Sequence, residues 1–134
     1  SSTSRGLGDV YKRQILEILM IDKDNTINSL KNIVQKFVDE REWSQFHNAK
    51  NLSMALAIEA SELMDIFKWD TSKSCEQKMS NKESREDAID ELADIIIYAI
   101  AFANKNNIDI SEAVSKKMIK NRIKYPTDKF KGNF

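Results

Sequence analysis

Glycine and proline are nearly missing from this chain. Its three glycines are Gly6, Gly8 and Gly132, its one proline is Pro126, and no glycine falls between Asp9 and Lys131. Sheet proteins need glycine for their tight turns, so the chain of 134 residues reads as all-α. A single cysteine, Cys75, excludes an intrachain disulfide framework and a cysteine-rich zinc site, and points to a reducing, cytoplasmic setting. A single histidine, His47, excludes any site built on two histidines. The longest apolar runs, such as Ile95–Ile97 with its neighbours, fall far short of the ~20 residues a membrane span requires. Basic and acidic residues number 21 each, so the formal charge is zero and binding of a nucleic-acid polymer through bulk positive charge is excluded.

What is present is enough for one core: 41% of residues are apolar and 31% charged. Residues 1–19 hold two of the three glycines and no helical period, and Met20 is a natural start. That segment is expected to be a disordered arm or a vector-derived piece ahead of one domain at 20–134. Ile15–Ile21 is too short for a signal peptide and contains Glu17.

Four helices are predicted. The first opens at Asn25 or Thr26, both good caps, and runs to about Glu42, with Ile27, Leu30, Ile33, Val34, Phe37 and Val38 at helical spacing. A polar connection, Trp43 to Asn48, leads to a second helix over about Ala49–Phe67, with Leu52, Leu56, Leu63 and Ile66 on one face. Asp70 to Ser80 is polar and aperiodic, which predicts a loop. Ser80-Asn-Lys-Glu83 has the form of a capping box for a third helix reaching about Asn104, with Ile89, Leu92, Ala93, Ile96, Ile97 and Ile100 apolar. Asn106-Asn107 breaks it. Asp109-Ile-Ser-Glu112 is a second capping box, for a helix from about Ile110 to Lys124 that Pro126 stops. In a monomer, four such helices leave much of Ile95–Ile100 and Phe102 uncovered, which favours a partner.

Charge is balanced overall but separated along the chain. Glu59 to Asp94 holds eleven acids against five bases, and Ser115 to Lys131 seven bases against one acid. Within the acidic stretch, Glu59 and Glu62 lie three apart on the second helix, and Glu91 and Asp94 three apart on the third. Residues three apart share a helix face. Glu59 falls in line with Leu56 and Leu63, and Glu91 and Asp94 are interleaved with Leu92, Ile95 and Ile96, so the acids belong at or beside a helix seam. An unpaired carboxylate there costs on the order of 3 kcal/mol. Either the acids turn to water, pairing with nearby lysines and arginines, or something positive holds them. A hard divalent cation is the natural partner, and carboxylates with metal bind polyphosphates and activate water. A di-iron bundle needs two E-x-x-H motifs, and His47 is alone and outside the helices.

Glu-Ala-Ser-Glu (59–62) followed after 28 residues by Glu-Leu-Ala-Asp (91–94) resembles the E-x-x-E…E-x-x-D signature of the all-α nucleoside triphosphate pyrophosphohydrolases, the MazG-like superfamily. Phe37 to His47, Lys50-Asn-Leu, Phe67-Lys-Trp69, Asp94 to Tyr98 and Lys117 to Pro126 are similar to its dCTP pyrophosphatase branch, so the likeness covers about residues 25–126. The resemblance implies a four-helix bundle assembling as a dimer of dimers, a homotetramer with the pocket shared between subunits. It implies hydrolysis of a deoxynucleoside triphosphate to the monophosphate and pyrophosphate with Mg²⁺, Mn²⁺ being the alternative ion, as nucleotide-pool house-cleaning. Glu59, Glu62, Glu91 and Asp94 would be the metal ligands and catalytic acids, with Glu59 orienting or deprotonating the attacking water. Lys117, Asn121, Arg122 and Tyr125 would hold the phosphates, and Trp43, His47, Trp69 and Tyr98 would surround base and sugar. Val34 stands where the branch has a histidine, which predicts broader acceptance of bases with dCTP among the best. The rival readings are a non-catalytic helical interaction module, and the same fold acting on dUTP or phosphoribosyl-ATP.

Overall fold

Side-chain caps decide where the helices begin. The computed structural model describes residues 6, 8–10, 12 and 19–134, and the expectation for residues 1–19 lies largely outside them. Thr26 accepts a bond from the Ser29 amide and opens α1, Ile27–Glu40. Asn48 accepts from the Asn51 amide at 2.8 Å and opens α2, Ala49–Phe67. Thr71 and Ser74 form a reciprocal box at the start of α3, Ser72–Ser80. Asn81 caps α4, Lys82–Lys105, and Asp109 caps α5, Ile110–Lys124, by accepting from the Glu112 amide at 2.8 Å. A single turn, α6 (Thr127–Phe130), follows Pro126. Each cap satisfies an otherwise orphaned amide and contributes about 1 kcal/mol.

Two expectations about the middle of the chain fail. Residues 70–80 are not a loop: nine of them form α3. The helix has no apolar stripe to announce it, and its order comes from the Thr71–Ser74 box and from contacts with its neighbours. Ser80 is consequently the last residue of α3, its hydroxyl bonded to the Glu76 carbonyl, so the cap of α4 moves one residue on, to Asn81 with Ser84.

The helices α2 and α4 form the long central pair. Leu52, near the start of α2, sits in the same buried cluster as Ile100 and Ala101 near the end of α4, while Glu59 meets Glu91 further along, so the two run antiparallel. Val34 and Val38 of α1 close the cluster, with Leu30, Tyr98, Phe102 and Ile110 packed around it. The Lys31 ammonium bonds the Ile108 carbonyl at 2.8 Å and the Asn104 amide bonds the Lys31 carbonyl at 3.0 Å, fastening α1 to the end of α4. That end is shaped by Asn107 in the left-handed region (φ 53°), which lets the Ile108 amide reach back to the Ala103 carbonyl.

The apolar face of α4 differs from expectation. Ile89, Leu92, Ile96 and Ile97 are 43–49% exposed, whereas Ala88, Ile100, Ala101 and Ala103 are buried. Apolar residues occupy two sides of this helix, and only the side that carries Glu91 meets α2. The uncovered seam runs from Ile89 to Ile97, so the expected one is met at Ile96 and Ile97, while Ile100 is buried and Ile95 and Phe102 are half-buried. The helix α5 buries no residue and, beyond Ile110, makes no extensive contact with the other described helices. Its Val114, Met118, Ile119 and Ile123 are 47–78% exposed. No helix among the described residues is long and apolar enough to cross a membrane.

Candidate active site

Antiparallel packing of α2 on α4 brings three of the predicted acids together. Glu59, Glu62 and Glu91 each place a carboxylate oxygen within 4.8 Å of the other two. Glu59 and Glu91 are half-buried and Glu62 is exposed. Glu59 Oε2 and Glu91 Oε2 are buried with no hydrogen-bond partner. Asp94 is half-buried on the same helix, and its charge acts on Glu59, but it stands outside the mutual 4.8 Å group.

Such a cluster is unfavourable without a positive partner. Burial, then contact with Glu62 and Glu59 and their charges, push the Glu91 carboxyl up to about 7. Glu59 is raised as well, first by burial and then by Glu62, against a smaller downward pull from Glu91. Two orphaned buried oxygens in an all-carboxylate set are the donor chemistry a hard divalent cation requires. The residues present therefore fit such an ion.

A pH dependence follows with a definite sign. In the unfolded chain Glu91 titrates near 4.5, and in the fold near 7, so folding takes up a proton between these values. Stability of the cation-free protein falls as pH rises through that window. His47 is lowered by burial and by the Lys105 charge, and acts in the opposite sense below about pH 6.5; the larger Glu91 shift sets the net direction. Differential scanning fluorimetry in EDTA is expected to show a lower Tm at pH 7.5 than at pH 5, with the slope reduced or reversed in Glu91→Gln.

About three turns along α4 from the acids a second feature opens. A cleft of about 130 Å³ is lined by Val34, Val38 and Ala101 on its apolar side and by Gln35, His47, Asn104 and Lys105 on its polar side. His47 is thus in a cleft as well as half-buried. The Lys105 ammonium bonds the Ser44 carbonyl at 3.3 Å and so holds the turn Trp43–Phe46 against α4. That turn begins after Glu42, a non-glycine residue in the left-handed region (φ 53°), a conformation costing roughly 1–2 kcal/mol. Trp43 packs edge-on against Phe37 at 5.6 Å, and the Arg41 guanidinium stacks over Phe37 at 3.6 Å.

The remaining predicted residues are not brought to these features within one chain. Tyr98 packs against the buried cluster between the acids and the cleft. Trp69, just beyond α2, is 89% exposed with the Lys68 ammonium 5.7 Å from its ring. Lys117 and Arg122 are exposed on α5, Asn121 is half-buried, and Tyr125 stacks edge-on with Phe130. Sequence reasoning passed over Gln35, Asn104 and Lys105. Lys105 follows Glu91 by fourteen residues, close to four turns, so the helical period alone could have placed it on the same side of α4.

The MazG-like family model matches residues 54–133, which include all four acids, Trp69, Tyr98 and the basic helix. The chain belongs to the MazG-like family. dCTP pyrophosphatase 1 of Rattus norvegicus is 32% identical over 108 residues, covering 81% of this chain and 64% of that protein. The Homo sapiens protein of the same name is 35% identical over 101 residues, covering 75% and 59%. The chain thus spans less than two thirds of the length of these relatives. Among solved structures, the crystal structure of a pyrophosphatase from Archaeoglobus fulgidus is 35% identical, with a TM-score of 0.68, covering 74% of this chain and 91% of that one.

Proposed function

We propose that this protein is a divalent-cation-dependent nucleotide pyrophosphohydrolase that converts deoxynucleoside triphosphates to monophosphates and pyrophosphate in the cytoplasmic nucleotide pool. The observation that carries the reading is the convergence of Glu59, Glu62 and Glu91 on one point with two buried oxygens unpartnered. The names of the relatives, dCTP pyrophosphatase 1 and pyrophosphatase, supply the reaction class.

In this reading Glu59, Glu62 and Glu91, with Asp94 beside them, hold Mg²⁺ or Mn²⁺. The bound ion would neutralise polyphosphate charge and acidify a water. Glu59 accepts the proton of the attacking water. The water oxygen bonds to the α-phosphorus, the bridge to the β-phosphate breaks, and pyrophosphate leaves. Lys117 and Arg122 hold phosphate oxygens, Arg through forked hydrogen bonds and Lys as a point charge, and Asn121 and Tyr125 assist them. Trp43, His47, Trp69 and Tyr98 surround the base and sugar. The exposed apolar rows on α4 and α5 support a homotetramer in which a second subunit brings its residues to the pocket.

A panel of nucleotides including dCTP, dTTP, dATP, dGTP, dUTP, CTP and phosphoribosyl-ATP, incubated with Mg²⁺ and scored for pyrophosphate, tests this function. Release from several deoxynucleotides, dCTP among the best, is the expected result. No release from any of them would leave a helical interaction module. Stacking is tolerant of base identity and is worth about 1–3 kcal/mol per base, so Trp69→Ala should raise KM about tenfold for all accepted bases together. A rise confined to one base would contradict the stacking role.

A further inference from the structure

Between the two helices that carry the acids, the chain makes a detour through α3, and one lysine gathers its ends. The Lys78 ammonium pairs with Asp70 Oδ2 at 2.7 Å and donates to the Ile66 carbonyl at the C-terminal end of α2. Asp70 Oδ1 accepts the Ser74 hydroxyl at 2.9 Å. The Lys78 carbonyl in turn accepts the Ser84 hydroxyl of α4 at 2.6 Å. The end of α2 and the first turn of α4 therefore meet at one residue of α3, α2 through the Lys78 side chain and α4 through the Lys78 main-chain carbonyl. The pair is not a loose surface contact, because the Asp70 carboxylate is only 14% exposed. Lys78, then Ser74, hold that carboxyl below its ordinary range, against burial. A cation at a helix C-terminus also complements the helix dipole.

The position of this clasp matters more than its strength. Ile66 is one helical turn beyond Glu62, and Ser84 is two turns ahead of Glu91. Clustered carboxylates on facing helices repel one another and push the helices apart. The clasp ties the same two helices together at the nearer end of the pair, and among the described residues no other side-chain hydrogen bond or ion pair joins α2 to the start of α4.

We propose that Lys78 and Asp70 are positioning residues for the acid cluster: they hold α2 and α4 at the spacing that lets Glu59, Glu62 and Glu91 share one cation. This rests on the pyrophosphohydrolase reading of the cluster. The lysine and aspartate touch neither ion nor substrate and act through the helices.

The test is a titration of the full chain with Mn²⁺ alone, followed by electron paramagnetic resonance, so that no turnover is needed. Lys78→Met and Asp70→Asn should each raise the Kd for Mn²⁺ about tenfold, the low end of the loss that follows when the support orienting a set of metal ligands is removed. Lys78→Arg, which can keep both bonds, should stay within about twofold of wild type. Far-ultraviolet circular dichroism checks that each variant retains its helices. If Lys78→Met does not fold, Asp70→Asn and Ser84→Ala carry the test. Folded variants with unchanged Mn²⁺ affinity would show that the clasp only stabilises, and would overturn the proposal while leaving the site reading intact. A wild-type protein that binds no Mn²⁺ would overturn both. Activity gives an independent split: the clasp variants should recover turnover at high Mg²⁺, whereas variants of the acids themselves should not.

Discussion

Glu59→Gln, Glu62→Gln, Glu91→Gln and Asp94→Asn should each lose about a thousandfold in kcat for pyrophosphate release, since a lost ligand removes several kcal/mol of charge stabilisation. Each variant should nevertheless fold. Glu91 is held near pH 7 by burial and by two acidic neighbours, and removing its charge removes that conflict. The cation-free Glu91→Gln protein should therefore melt higher than wild type at pH 7.5, the reverse of what loss of a structural residue would give. Asp94→Asn is the discriminating member of the set, because Asp94 lies outside the tight group of three. Full turnover in any two of the four variants would remove the cluster from the mechanism.

The second large effect is expected at the other end of the chain. Lys117→Ala and Arg122→Ala should raise KM for a triphosphate by about 10- to 100-fold each, the range for hydrogen bonds to charged groups. Binding of the bare nucleoside should change little. The loss should shrink at high salt, because exposed charges are screened beyond about 10 Å. Wild-type KM in both variants would make the basic face of α5 ordinary solvated surface. Within the chain α5 makes no extensive contact with the helices that carry the acids, so a supporting result would also favour delivery of these residues by a second subunit.

The outline of the bundle is legible in the sequence because its ends are written in short-range chemistry. Thr26, Asn48 and Asp109 each cap the helix that begins beside them, and Asn106-Asn107 and Pro126 mark stops that depend only on local backbone preference. The acids were legible for a related reason. Glu59 sits at a position of α2 that its apolar neighbours mark as inward-facing, and the structure finds it half-buried there. The helix α3 was not legible, because it is held by Lys78, Asp70 and Ser84, contacts between residues that no periodicity connects. The outward face of α4 was misread for a different cause. Ile89, Leu92, Ile96 and Ile97 are as apolar as any core residue, and hydrophobicity alone does not say which of two apolar sides meets the neighbouring helix. The cleft beside His47 escaped notice because it is assembled from α1, the Trp43–Phe46 turn and the end of α4, whose meeting is a property of the packing.

The helix α5 carries one more consequence. It has fifteen residues, a good cap at Asp109 and no buried side chain. A helix of that length is marginal by itself in water. Within one chain it therefore adds little to the cooperativity of the fold, and its amides open through local fraying rather than with the α2–α4 core. In the proposed assembly its order would come from the subunit that covers Val114, Met118, Ile119 and Ile123. In that assembly the α5 end is therefore the last part to become rigid, and its rigidity follows protein concentration rather than the core's stability.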